Sequence, residues 1–170
     1  MNRSLLIAGI AATTLVLGAC ASKPKELPPE PGTTATETTQ PPMQGTGPAV
    51  PGSQADFMAS VMSDTVLFDL DRYNIDASDQ GILQSQAQWL SRYPNKSVTI
   101  EGHADERGTR DYNLALGERR ANSAKNYLVS LGIDPSRVTV LSYGKERPIA
   151  LGSDEESWAR NRRAVTVTVN

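Results

Sequence analysis

Residues 23–52 divide this chain in two, because they are rich in proline, threonine and glycine and poor in large apolar side chains. Lys23-Pro24, Pro28-Pro29, Pro41-Pro42 and Pro51-Gly52 punctuate the run. A segment of that composition cannot bury enough apolar surface to offset its ordering entropy, so it is expected to be a tether. As extended polyproline it would reach on the order of 100 Å, and as a flexible coil roughly 30 Å. What is left to fold is 53–170, or 170 − 52 = 118 of the 170 residues, enough for one domain and too few for two.

The segment ahead of the tether is built for export. Arg3 supplies a short positive region, residues 5–17 form an apolar stretch, and Gly18-Ala19 lead into Cys20. This is the layout of a signal peptide over 1–19, too short for a comfortable membrane span of about 20 apolar residues. Cys20 is the only cysteine, so no disulfide can form within the chain. Leu17-Gly18-Ala19-Cys20 looks like a bacterial lipobox. That resemblance implies that Cys20 becomes a diacylglycerol thioether and is then N-acylated, palmitate being a typical chain. Each buried methylene contributes about 0.8 kcal/mol, so one chain anchors marginally and two or more anchor durably. Ala21 and Ser22 follow the cysteine with no Asp, which by resemblance to enterobacterial lipoproteins favours the outer membrane. The folded part would then lie in the periplasm.

The formal charge is −2, and removal of Arg3 with the signal makes it −3. That mild, unclustered acidity argues against a nucleic-acid partner. Arg107, Arg110, Arg119 and Arg120 do gather locally, and a solvated helix face is the plain account of Arg119.

Strand and helix patterns alternate along 53–170. A short lead-in helix is expected over 56–62 and a strand over 65–68. A helix capped by Asp76 or Ser78 runs to Arg92, with Leu83, Ala87 and Leu90 at i, i+4, i+7. It stops at Tyr93 because a residue before proline avoids helical geometry. A second strand covers 97–101, leaving Gly102 to Asp105 at its carboxyl end. The next helix is expected over 112–130, with Leu114, Gly117, Ala121, Ala124, Leu128 and Leu131 as its buried stripe and Gly132 as its stop. The small residues of that stripe would let the helix lie close to a sheet. Asp134-Pro135 turns into a strand over 138–143. Ser153 and Glu156 have the spacing of a capping box for a helix through Asn161. The last strand covers 164–169, where valines and threonines alternate. Such alternation of strands and helices implies an α/β layer sandwich.

Asn113, Leu116 and Arg120 stand at i, i+3, i+7 and so share one face of the helix over 112–130, which places Arg120 at the rim of the core. Asp105 leaves the end of the preceding strand, and crevices beyond strand carboxyl ends are common ligand sites in α/β sheets. A carboxylate can accept from an ammonium, and a guanidinium can grip a carboxylate with two parallel hydrogen bonds. The pair therefore suits a small zwitterionic ligand. It is equally readable as a structural salt bridge, and the two groups could hold each other until a ligand arrives.

Gly102-His103-Ala104-Asp105-Glu106-Arg107-Gly108-Thr109 and Asn113-Leu114-Ala115-Leu116-Gly117-Glu118-Arg119-Arg120-Ala121 together resemble the signature of the OmpA-like peptidoglycan-binding domain family. Their wording is closest to that family's peptidoglycan-associated lipoproteins, and the resemblance extends over 66–169. It implies a βαβαβ-type sandwich with a mixed four-stranded sheet. It also implies that the ligand is diaminopimelate in a peptidoglycan stem, with Asp105 on the ammonium and Arg120 on the carboxylate. Lys-type stems do not offer both charges at the free end. Arg107, Thr109 and Leu116 match further contact positions, and Leu70 and Asp71 match the place where backbone amides receive the carboxylate. Leu70 stands where an aromatic is often found. Tyr143 to Pro148 and Asn161-Arg162-Arg163 match family segments that brace the sheet edge and its loop. The implied partners are peptidoglycan, TolB and the other Tol proteins, in a Tol-Pal system that supports outer-membrane invagination during cell division. A wall-anchoring lipoprotein of the same family without Tol partners is the alternative.

Catalysis is a poor match to these residues. Asp105 and Glu106 are adjacent, whereas glycosidase carboxylates straddle a bond at about 5 to 9.5 Å. His103 is the only histidine, so zinc would need a carboxylate-heavy site, and its expected role is to stabilise the turn beneath the site. No nucleophile elbow or phosphate loop is present. No catalytic residue, metal ligand or cofactor is expected.

Overall fold

The computed structural model describes residues 49–169. The expected signal peptide, Cys20 and the tether as far as residue 48 lie outside the described residues. Helix α1 (Gln54–Ser60) is capped by the Ser53 hydroxyl and held down by Trp89, whose Nε1 donates to Asp56 at 2.9 Å. Phe57 meets the Trp89 ring edge-on at 5.0 Å. Strand β1 (Thr65–Leu67) follows, then α2 (Ala77–Arg92), β2 (Ser97–His103), α3 (Arg110–Ser130), a 3-10 turn at Pro135–Arg137, β3 (Val138–Gly144), α4 (Glu155–Asn161) and β4 (Arg163–Val169).

The strands form one mixed sheet in the order β1-β4-β2-β3. β4 is antiparallel to both β1 and β2, while β2 and β3 are parallel and joined by the α3 crossover. A layer sandwich with a mixed four-stranded sheet is therefore what the chain forms. Asp76 is the cap of α2 and accepts from the Asp79 N–H at 2.9 Å. Gly132, at φ +93°, ends α3. Its N–H reaches the Val129 carbonyl while the Ile133 N–H reaches Leu128, the paired bonds of a Schellman motif.

Two expectations need correction, and the alternation in β4 acquires a direction. The buried stripe of α3 is Asn113, Leu116, Gly117, Arg120, Ala121, Ala124 and Leu128; Leu114 and Leu131 are each 40 % exposed. The helix is turned so that Asn113 and Arg120 point at loop carbonyls that need donors, which carries Leu114 outward. The cap of α4 is Asp154, not Ser153, since the Asp154 carboxylate takes the Ser157 N–H at 2.8 Å. In β4 the threonines, not the valines, are buried against the helices. Thr168, Thr166 and Ala164 lie opposite Val98, Ile100 and Gly102 of β2, and directly opposed residues share a face. Thr166 is reconciled to the core by donating to Gln86 Oε1 at 2.8 Å.

Close approach of α3 to the sheet depends on two glycines. A Cβ on Gly102 would overlap the Gly117 carbonyl oxygen, and one on Gly117 would strike Ser142 Oγ and the Gly102 carbonyl. This contact, with Leu83, Leu90, Val98, Ile100, Leu128 and Val138 filling the interior beyond it, sets where the start of α3 meets the end of β2. No helix among the described residues is long and apolar enough to cross a membrane.

Candidate functional site

The loops at 68–76 and 104–109 meet the first three turns of α3 around a cavity of about 290 Å³. Its wall contains Leu70, Asp71, Asp105, Arg107, Leu116 and Arg120, together with Gly108, Tyr112 and Asn113. Thr109, expected in the wall, is absent from it: its hydroxyl caps α3 by accepting from the Tyr112 N–H at 3.3 Å.

Arg120 is fully buried rather than at a rim. Its Nε donates to the Arg72 carbonyl at 2.9 Å, Nη1 to His103 at 2.8 Å and Nη2 to Asp69 at 3.1 Å. Those bonds fix the loop after β1 to the end of β2. A guanidinium has five N–H groups, so two remain without a protein acceptor among the described residues. No carboxylate of the described residues forms an ion pair with it, although the charges of Asp105 and Asp71 act on it from a distance; the Phe68 ring lies 5.3 Å away. Burial, and then the charge of Arg162, push its pKa down to about 10, which leaves it cationic at neutral pH. A buried cation without a contact ion pair is suited to receive an anion, because an arriving carboxylate meets a charge already stripped of water.

Asp105 does not pair with Arg120. Its carboxylate is gripped by Arg107, with Nη2 at 2.6 Å and Nε at 3.1 Å, and approached from behind by Arg162 at 3.5 Å. Burial works to raise the Asp105 pKa, but hydrogen bonds and charge from Arg107, with Arg162, outweigh it and hold the carboxyl below its usual range. The salt-bridge account of Asp105 and Arg120 is thus wrong in its partner: Asp105 faces its own loop and β4, while Arg120 is occupied by carbonyls.

The turn at 69–72 closes with the Arg72 N–H on the Asp69 carbonyl at 3.1 Å. Asp71 sits at φ +55°, the only non-glycine residue with positive φ among the described residues. Such a conformation in a short polar residue is worth a functional explanation. It is held by Tyr112, whose hydroxyl donates to Asp71 Oδ1 at 2.9 Å. The N–H groups of Leu70 and Asp71 donate to nothing among the described residues, and successive free amides in such a turn form a small anion-binding concavity.

Sequence reasoning did not find Tyr112 or Arg162. Tyr112 is an ordinary first-turn residue until the turn at Asp71 is seen. Arg162 braces, as its neighbours do, and also reaches the site: its Nε donates to the Phe68 carbonyl at 2.9 Å, while Asn161 pins the Ile149 and Ala150 backbone and Arg163 donates to the Arg147 carbonyl at 3.2 Å. Lys145 holds the 104–109 loop through the Gly108 carbonyl at 2.7 Å. The His103 ring is half-stacked on Tyr143 at 5.5 Å and makes no hydrogen bond among the described residues, so only its backbone carbonyl, held by Arg120, ties this turn. Among the described residues no group of three His, Cys, Asp or Glu side chains is placed to hold a metal ion.

The OmpA family model matches residues 67–162, the span that carries every element of this cavity. The chain is 51 % identical over 153 residues to the peptidoglycan-associated lipoprotein of Agrobacterium fabrum, covering 90 % of this chain and 81 % of that one. It is 51 % identical over 154 residues to the protein of the same name from Rhizobium meliloti, covering 91 % and 82 %. The crystal structure of the peptidoglycan-associated lipoprotein from Burkholderia pseudomallei superimposes with a TM-score of 0.63 at 42 % identity, covering 67 % of this chain and 100 % of that one. With the fold, the motif and near-full-length similarity in agreement, the chain belongs to the OmpA family and, within it, to the peptidoglycan-associated lipoproteins.

Proposed function

We propose that this chain is a lipoprotein, anchored in the outer membrane through Cys20, whose periplasmic domain holds peptidoglycan non-covalently by the diaminopimelate tip of the stem peptide. The observation that carries this is the buried, unpaired Arg120 guanidinium on the wall of a cavity that also contains Asp105. The ligand carboxylate takes the two spare N–H groups of Arg120 and the free amides of Leu70 and Asp71. The ligand ammonium goes to Asp105, and Leu116 supplies an apolar wall for the methylenes between. Nothing in this scheme breaks a bond: the domain is a grip, and the tether lets it reach the wall from the membrane. Many stems close together permit rapid rebinding, so a modest single-site affinity suffices.

Membership of the lipoprotein branch also supports work with TolB and the Tol proteins as the outer membrane invaginates at division. The deciding experiment for the site is calorimetric titration of the full-length chain in detergent with a diaminopimelate stem peptide and its lysine counterpart. Tight binding of the first and weak binding of the second is expected; equal affinity would remove diaminopimelate as the recognised group. Release of muropeptides from purified sacculi would convert the grip into an enzyme. Capture of TolB by the immobilised chain tests the Tol partnership.

A further inference from the structure

Arg107, Asp105, Arg162 and Glu155 form a ring of alternating charge with one slack link. Arg107 to Asp105 is 2.6 Å, Asp105 to Arg162 3.5 Å, and Arg162 to Glu155 2.7 Å, but Glu155 to Arg107 is 3.9 Å. The inner pair, Asp105 and Arg162, is almost wholly covered, whereas Arg107 is about one-third exposed and Glu155 two-thirds. The outer two can therefore move while the inner two stay. The Arg107 guanidinium already lies 4.1 Å from the centre of the Trp158 ring, and that ring is steadied by donating to Glu106 at 2.9 Å. A second seat for the guanidinium, stacked on Trp158 and paired with Glu155, is thus prepared beside the first.

The place where a ligand ammonium would meet Asp105 is occupied in this structure by Arg107. Building on the binding mode above, we propose that Arg107 is a displaceable stand-in for the ligand's amine: it neutralises Asp105 in the free site and closes onto Glu155 when the amine arrives. The exchange leaves no buried charge unpaired at either end, which is the condition for it to be cheap. It also sets specificity. A ligand that keeps the distal carboxylate but lacks the amine leaves Arg107 where it is, so the native site tolerates that ligand. Without Arg107, Asp105 faces only the more distant Arg162, and an amine on the ligand becomes correspondingly more valuable.

The test uses the full-length chain in detergent and two tripeptides. One is L-alanyl-D-isoglutamyl-diaminopimelate; the other carries 2-aminopimelate at the third position, which retains the distal carboxylate and lacks the distal amine. Arg107→Ala is expected to raise the preference for the first over the second by about tenfold, the worth of one charge-assisted hydrogen bond. Glu155→Gln is expected to weaken the amine-bearing tripeptide several-fold and to leave the other unchanged, because the displaced arginine has lost its seat. An unaltered or reduced preference in Arg107→Ala, with both tripeptides still binding, overturns the exchange and leaves the wall-binding reading standing. Failure of the native chain to bind either tripeptide removes both.

Discussion

Arg120 carries two duties that can be separated by substitution. It solvates three backbone carbonyls and, in the proposed binding mode, would offer its two further N–H groups to the ligand carboxylate. Arg120→Lys keeps the charge but has no fork, so the stem peptide is expected to bind about 2–5 kcal/mol more weakly; calorimetry together with circular dichroism on the same samples checks this. His103 governs a different property. Both ring nitrogens are buried and without hydrogen-bond partners, and the Glu101 carboxylate at 3.9 Å is too far to supply one. Burial, then the charges of Arg163 and Arg147, push its pKa down to about 4 from 6.5. The folded state therefore holds fewer protons than the unfolded state between those values, and stability falls as pH drops through them. The loss by pH 4 amounts to about 3 kcal/mol. This slope belongs to one group, so it is read as a difference: urea midpoints should show His103→Phe gaining on the native chain between pH 7 and pH 4.5.

The start of α2 opposes that slope. Asp79, in its first turn and almost covered, has its pKa pushed up to about 6 by burial and by the charge of Asp76. Here the folded state holds the extra proton, so this group's contribution falls as pH rises from about 3.8 to about 6. Asp79→Asn is expected to raise the melting temperature at pH 7 and to have little effect at pH 4. Because the two groups act in opposite senses over nearly the same range, the native profile should be flatter than that of either variant. The α3–sheet contact gives a sharper test. Gly117→Ala forces a methyl against Ser142 and the Gly102 carbonyl and should cost about 1–3 kcal/mol of stability as an overpacking change, read by thermal denaturation.

For the whole molecule, the grip matters only if the chain is held at both ends. Cys20→Ser should move the chain from the membrane fraction to the soluble periplasmic fraction and abolish palmitate labelling, while stem-peptide affinity stays unchanged. Retention in the membrane would disprove the anchor without touching the site. On the proposed reading the division of labour follows from reach: a lipid would fix one end, the run of prolines and threonines would span the gap, and the OmpA-type domain would close on the wall.

Local signals were enough for the elements and the motif. Caps at Asp76, Gly132 as a stop, and strand alternation act through neighbouring residues, and their outcomes are visible in composition and spacing. Asp105 and Arg120 were legible as opposite charges on adjacent elements for the same reason. Their actual partners were not, because a buried guanidinium takes whichever acceptors the tertiary structure leaves unsatisfied. Those proved to be the carbonyls of Asp69, Arg72 and His103, brought together by a strand order that no local pattern encodes. The same holds for β4, where register against β2 turned the threonines inward, and for Arg162, which reaches Asp105 across 57 positions of chain. Periodicity specifies what each segment can become, but only packing decides which buried charges must share a neighbour.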